Sequence, residues 1–121
     1  MTALTDYPFC TQTVTVYRKT ENGIHRQEID NVFLQIQENT GFSQLGQRLE
    51  RKFLMVQPGE HQLVFAGDRI YEGTGPEVTA QQWPSFLPEQ VEGLVVAEYA
   101  TAYYWQDRFC HTEAGRKQVE R

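Results

Sequence analysis

The stretch TQTVTVYRKTENGIHRQE, residues 11–28, decides the fold. Val14 and Val16 alternate with Thr13, Thr15 and Tyr17. This period of two, rich in β-branched residues, suits the pleat of a strand and not the 3.6-residue repeat of a helix. Asn22-Gly23 follows, a pair that accepts positive φ angles, so the chain is expected to reverse tightly and return along Ile24 to Glu28.

The same signals recur on both sides of this hairpin. Upstream, residues 1–10 read as an entry arm anchored by Tyr7-Pro8-Phe9, because Pro8 cannot continue a ladder and the rings gain from burial. Downstream, Asp30-Asn31 is a break, and Val32, Leu34 and Ile36 then share one face while Phe33 takes the other. Residues 38–46 are polar, hold two glycines, and are expected to form a long loop whose only apolar residues are Phe42 and Leu45. Gln47 to Gln57 is a central strand around Phe53-Leu54-Met55-Val56, ended by Pro58-Gly59-Glu60. Gln62 to Phe65 and Ile70-Tyr71 are short strands on either side of a Gly67-Asp68 turn, and Gly73-Thr74-Gly75-Pro76 turns the chain again.

Thr79 is placed to cap one helical turn over Ala80-Gln81-Gln82, and Pro84 and Pro88 forbid a longer helix. Trp83, Phe86 and Leu87 would pin this excursion to the core. Leu94 to Trp105 is the last long strand. Gln106-Asp107-Arg108 turns it, Phe109-Cys110-His111 is a short final strand, and residues 112–121 read as a polar tail. The expected fold is mainly β: one small antiparallel barrel or sandwich over residues 1–121, with one long loop and at most a short helical turn.

Composition supports a single packed domain. In 121 residues, 40% are hydrophobic and 22% charged, which excludes wholesale disorder. Seven Phe, six Tyr and two Trp suit a thin β core or an interface. The formal net charge of −5 argues against tight nucleic-acid binding, since little counterion release is available. The densest basic group is Arg48, Arg51 and Lys52 around Glu50, read as a solvated strand or loop in preference to a phosphate site. The apolar runs at residues 53–56 and 94–97 are too short to span a membrane. The first six residues lack the basic and apolar regions of a signal peptide, so synthesis in the cytoplasm is the expectation. Cys10 and Cys110 are then expected to be reduced.

Chemistry-bearing residues are few and scattered. Cys10, Cys110, His25, His61 and His111 show no metal-ligand spacing, and no metal or other cofactor is expected. Cys110 and His111 are strand neighbours that point to opposite faces and make no dyad. Asp68 is expected to spend its carboxylate on an Asx hydrogen bond in its turn. No nucleophile–base set or paired carboxylates emerge, so the chain does not read as an enzyme. Tyr99, Tyr103 and Trp105 offer a stacking platform for single strands, but basic residues are lacking beside them, and core packing is the preferred account.

The segment from Pro58 to Gly73, with Gly67-Asp68-Arg69-Ile70-Tyr71-Glu72-Gly73 at its heart, resembles a stretch of the small barrel proteins of phage head–tail connectors, called head-closure, stopper or minor capsid proteins. The layout over residues 11–105 is loosely similar: an N-terminal hairpin with Tyr17-Arg18-Lys19, a long middle loop, paired strands around the Gly-Asp turn, and a final strand. The Trp83–Pro88 excursion and the Tyr103-Tyr104-Trp105 end belong to no general pattern. The resemblance implies a virion component made in the host cytoplasm. It would be a homo-oligomeric ring at the portal–tail junction, a monomer in solution before assembly, and would touch portal or adaptor proteins, tail proteins and, passively, packaged DNA. By position, Glu38, Asn39, Thr40, Phe42, Gln44 and Leu45 become the candidate channel or partner-contact residues. Asn22, Gly23, Gly67, Asp68 and Gly73 are the structural turns. A tail-completion or other protein-binding β-domain, and a single-strand-binding barrel, are the competing readings.

Overall fold

A computed structural model describes the backbone of residues 7–43 and 46–116, and the side chains of residues 7–37 and 52–116. Seven antiparallel strands form one curled sheet: β1 (Gln12–Thr20), β2 (Gly23–Ser43), β3 (Gly46–Pro58), β4 (Arg69–Glu72), β5 (Leu94–Val96), β6 (Tyr99–Trp105) and β7 (Arg108–Gly115). Their spatial order is β5-β4-β1-β2-β3-β7-β6. The mainly β, barrel-like class expected from the sequence is the one observed, and the only helical element among the described residues is a 3-10 turn at Trp83–Ser85.

The curl has two sources. β2 is a single long strand whose first part pairs with β1 and whose second part pairs with β3. Between them Asn31 sits at φ 60°, and Val14 pairs with Ile29 while Gln12 pairs with Val32, so β2 carries one extra residue. The expected break at Asp30-Asn31 is therefore a β-bulge, which bends the strand without ending it. At the other side, Leu94 to Trp105 is two strands and not one. Ala97-Glu98 interrupts it, β5 pairs with β4, and β6 pairs with β7 at the opposite end of the sheet. The chain thus passes from one sheet edge to the other in two residues, with Gly67 N–H on Ala97 O (2.7 Å) and Glu98 N–H on Gly115 O (2.8 Å) fixing the corner.

The interior holds Val14, Val16, Ile29, Val32, Leu34, Phe53, Met55, Val64, Ile70, Val95, Ala97 and Ala114. β1 is buried on both faces. Tyr17 packs on the outer side with Leu94 and Phe86, beneath residues 77–93. That excursion is pinned as Trp83 and Phe86 suggest, but to this outer cluster and not to the interior. Arg69 holds it: its Nη1 donates to Trp83 O (2.7 Å) and Phe86 O (2.8 Å), and its guanidinium lies 3.6 Å from the Trp83 ring centroid. Thr79 does not cap a helix over Ala80-Gln81-Gln82: those residues form a turn, in which Thr79 Oγ1 accepts from Gln82 N–H (3.2 Å) and Gln82 Oε1 accepts from Thr79 N–H (3.0 Å), and the 3-10 turn follows at Trp83–Ser85 with Gln82 at its N-cap.

Several local expectations are corrected. The long loop at residues 38–46 is the distal part of a hairpin: Glu38, Asn39, Thr40 and Phe42 lie on β2, in register with Arg51, Glu50, Leu49 and Gln47, and Ser43 pairs with Gly46. A polar stretch with two glycines carries no hydrophobic alternation, so it reads as a loop. Gln44 and Leu45 lie outside the described residues. The polar tail of residues 112–121 is in its first part strand. Thr112 to Gly115 continue β7 between β3 and β6, where the small Ala114 and Gly115 are needed. A Cβ on Gly115 would lie 2.7 Å from Phe53 O, which explains the glycine. Gln62 to Phe65 is not a strand among the described residues, because side chains take its backbone groups. Gln57 Oε1 accepts from Leu63 N–H (2.9 Å), and Asp68 Oδ2 accepts from Phe65 N–H (2.8 Å). The first hairpin turns at Glu21-Asn22, where Thr20 Oγ1 accepts from Asn22 N–H (3.2 Å), and only Gly23 has positive φ.

The β6–β7 turn is the reverse case. Gln106 (φ 51°) and Asp107 (φ 66°) both sit in the left-handed region, which costs ordinary residues roughly 1–2 kcal/mol each. Replacing them by Asn-Gly is expected to raise the unfolding free energy by about 1 kcal/mol and the melting temperature by about 4 °C, readable by calorimetry. An unchanged or lower melting temperature would show that the turn is not strained.

Candidate interaction surface

Two features stand out from the packed body. The first is the β2–β3 ribbon. β1 pairs with β2 only as far as Val32, and β7 pairs with β3 only from Leu54 onward. From Gln37 to Ser43 on one strand, and from Gly46 to Lys52 on the other, the two strands have each other and no third neighbour among the described residues. Seven residues at strand rise carry the ribbon about 24 Å beyond the sheet. Such a ribbon exposes two rows of unpaired backbone groups, and alone in water it is marginal. Four of the sequence-predicted contact residues, Glu38, Asn39, Thr40 and Phe42, lie on it.

The second feature is aromatic. Residues 7–10 of the arm lie across the outer face of β2, β3 and β7, as their rings suggested. Phe9 meets Phe33 edge-on (centroids 5.7 Å), Tyr7 meets Phe9 (6.2 Å), and Tyr7 meets His111 (5.4 Å), which stacks on Tyr103 of β6 at 5.0 Å. Tyr7 Oη lies 2.7 Å from His111 Nδ1, and His111 Nε2 lies 3.2 Å from Glu113 Oε2. With the imidazole neutral, the phenol donates to Nδ1 and Nε2–H donates to the carboxylate, so one chain of bonds clasps arm to sheet. Burial holds the Tyr7 phenol above its ordinary pKa, helped by the Cys110 and Cys10 thiols and the Glu113 carboxylate. Burial also pushes up the Cys10 thiol. Both cysteines are buried and free, as reduced thiols would be. Beyond the clasp, Tyr104 (64% exposed), Trp105 (52%) and Phe9 (54%) leave large apolar area in water.

Beyond the first hairpin, the turn residues Gly67, Asp68 and Gly73 fall where the sequence puts them, with one addition. Gly67 (φ 94°) and Gly73 (φ 86°) take positive φ. Asp68, 1% exposed, makes its expected turn bond to Phe65 N–H. It also receives Arg18 through two bonds, Nε to Oδ1 (2.8 Å) and Nη2 to Oδ2 (2.7 Å). Hydrogen bonding to Asp68 raises the Arg18 pKa further. This pair ties β1 to the Gly-Asp turn, and the alternation of β1 gives no sign of it.

A cleft of ≈ 290 Å³ opens beside β5, lined by Leu87, Pro88, Glu89, Val95, Val96, Glu98 and Arg116. Its floor is apolar and its rim charged, with Arg116 Nε on Glu98 Oε2 at 3.0 Å. Among the described residues no group of three or more His, Cys, Asp or Glu converges as a metal site, and no helix is long and apolar enough to cross a membrane.

No family model matches the chain, and neither a curated protein nor a solved structure matches it.

Proposed function

We propose that this protein is a structural component of a tailed-phage virion, a head-closure or minor capsid piece that forms a homo-oligomeric ring between the portal or adaptor and the tail. One observation carries the reading: the β2–β3 ribbon, an arm that projects about 24 Å from a curled sheet with no third strand on either edge among the described residues. An arm of that form is stable when a neighbour completes its ladder or buries its faces, which ring assembly supplies. The acidic balance suits a conduit through which DNA must slide without sticking. The test is electron microscopy of particles assembled with a labelled copy of the chain. Density at the portal–tail vertex is the expected result, and unlabelled particles would remove the proposal.

The aromatic face favours a second reading, a tail-completion or other protein-binding β-domain. Retention by tail-tube proteins, with portal complexes ignoring the chain, would select it. Single-strand binding is the weakest of the three: the net charge is −5, and although Arg108 stands in register with Trp105, where no basic residue was expected, it is the one cation that the β6–β7 pairing sets beside the exposed rings. Titration with short oligonucleotides at low salt is expected to be flat.

A further inference from the structure

The sheet has two ends, and they are finished differently. β5 is three residues long, between Gly93 and the Ala97-Glu98 corner. Short edge strands are one device by which native sheets avoid pairing with other chains; charged side chains and prolines are others. The ribbon strands carry Glu38, Arg48, Glu50, Arg51 and Lys52. β6 has none of these devices. Tyr99-Ala100-Thr101-Ala102-Tyr103-Tyr104-Trp105 is seven residues without a charge, a proline or a glycine. It ends the sheet order, and β7 is its one strand neighbour among the described residues.

We propose that β6 pairs antiparallel with β6 of a second copy of this chain, about a twofold axis at Ala102, so that two seven-stranded sheets join into one. The pair is separate from the ring contact, since an isologous interface closes at two copies.

Register, charge and area select this occupant. Pairing centred on Ala102 sets Ala102 opposite itself, Thr101 opposite Tyr103, Ala100 opposite Tyr104 and Tyr99 opposite Trp105. Odd-numbered residues meet odd-numbered ones, so the outer face of one sheet continues into the outer face of the other. On that face a ring falls beside a ring, Tyr99 and Trp105, and a ring beside a β-branched residue, Tyr103 and Thr101. Both are cross-strand pairs that stabilise sheets. On the other face Tyr104 meets the small Ala100, which leaves room for its ring. No like charges are brought together: residues 99–105 carry none, and Glu98 comes opposite Gln106. A strand of other sequence would have to supply the same matching of small and large residues, which a second copy supplies by symmetry. Tyr103, Tyr104 and Trp105 are between 44% and 64% exposed. With about 150–250 Å² to a ring residue, the six rings of a pair leave about 600 Å² to bury. The backbone edge and Thr101 bring the contact toward the about 1,000 Å² of a specific interface, the size of a reversible dimer.

The test is sedimentation velocity on the full chain, in a concentration series up to about 0.5 mM. The wild-type chain is expected to run as a monomer–dimer mixture that shifts with concentration. Thr101→Lys, which puts a charge on the edge, and Trp105→Ala are each expected to weaken the dimer about tenfold or more. Cysteine substitution reads the register. Facing residues have Cα atoms about 4.5–5.5 Å apart, within reach of a disulfide. Ala102→Cys is therefore expected to form a covalent dimer with oxidised glutathione. Thr101→Cys is expected to form none, because the same residue of the second copy lies diagonally across the pair, about 7–8 Å away. The wild-type chain, with Cys10 and Cys110 both buried, is the blank. Circular dichroism of each variant confirms that the sheet is kept.

A wild-type chain that stays monomeric throughout overturns the proposal. So does a dimer that crosslinks at position 102 no better than at 101, and so does association that runs past two copies. A monomer that tail-tube proteins retain, and that Thr101→Lys releases, would assign the edge to a strand of another protein and overturn it too. A dimer whose chain is absent from assembled particles would remove the ring reading and leave the pairing standing.

Discussion

Arg18→Met is expected to lower the unfolding free energy by about 3–5 kcal/mol, the cost of stranding a buried carboxylate. The Asp68 side chain is 2% exposed, while that of Arg18 is 37% exposed, so the two partners are not equivalent. Removing Asp68 would free an arginine that can turn to water. Removing Arg18 leaves a charge that cannot, with Phe65 N–H as its remaining donor among the bonds described. Arg18 also covers the Phe65 ring at 4.8 Å, and Met retains part of that contact, so the measured loss belongs mainly to the charge. Adding Asp68→Asn to Arg18→Met removes the stranded charge and keeps an oxygen for Phe65 N–H. The double variant is therefore expected to recover at least about 1 kcal/mol. Urea denaturation with unchanged slope is the measurement. An Arg18→Met loss under about 1 kcal/mol, the value of an exposed pair, would mean that water reaches Asp68.

The pair also marks where sequence reading stops. Alternation in residues 11–19 located β1, its valines and the hairpin. It could not say that β1 has β4 on its other side, because strand order depends on residues 50 or more positions away. Arg18, beside Lys19 near the end of β1, looks like solvated charge until the Gly67-Asp68 turn is folded against it. The stretch from Leu94 to Trp105 failed for the opposite reason: its pattern looked too continuous. Val95 and Ala97 point inward, and beyond the corner it is Ala100 that packs on the interior. The inward parity changes at Ala97-Glu98, and a Val-Val-Ala-Glu-Tyr-Ala run of small and apolar residues fits either parity. The ribbon escaped because a polar stretch with two glycines has no hydrophobic period to read. Its six candidate residues were chosen by position, and four of them do lie on the projecting arm. The arm's clasp was legible only as rings seeking burial. That His111 of β7 would receive Tyr7 is a contact across 104 residues.

Gly75→Ala is expected to cost about 3 kcal/mol, and two opposed effects make that sign informative. Gly75 lies outside the left-handed region, so alanine fits its backbone, and the lost freedom of the unfolded chain alone would stabilise by about 0.4–1 kcal/mol. Space decides otherwise. A Cβ there would overlap Tyr17 Oη and stand 2.9 Å from Tyr71 Cδ2. Overpacking of this kind costs about 1–3 kcal/mol. Tyr17 cannot move aside cheaply: it is fully buried, edge-on to Phe86 at 4.7 Å, and its hydroxyl donates to Pro76 O. The strand below is strapped to the same loop. Thr15 Oγ1 donates to Gly73 O (2.8 Å) and accepts from Gly75 N–H (2.9 Å), and Arg26 Nε donates to Gly75 O (3.1 Å). Any shift that relieves the clash stretches these bonds, each worth about 1 kcal/mol. Tyr17→Phe alone loses the Pro76 bond, yet in the Gly75→Ala background it also removes the overlapping oxygen. The pair is therefore expected to cost at least about 1 kcal/mol less than the sum of its parts. Additive losses, or an alanine that raises the melting temperature, would mean that the loop at residues 73–76 slides freely over β1 and that its side-chain straps hold nothing.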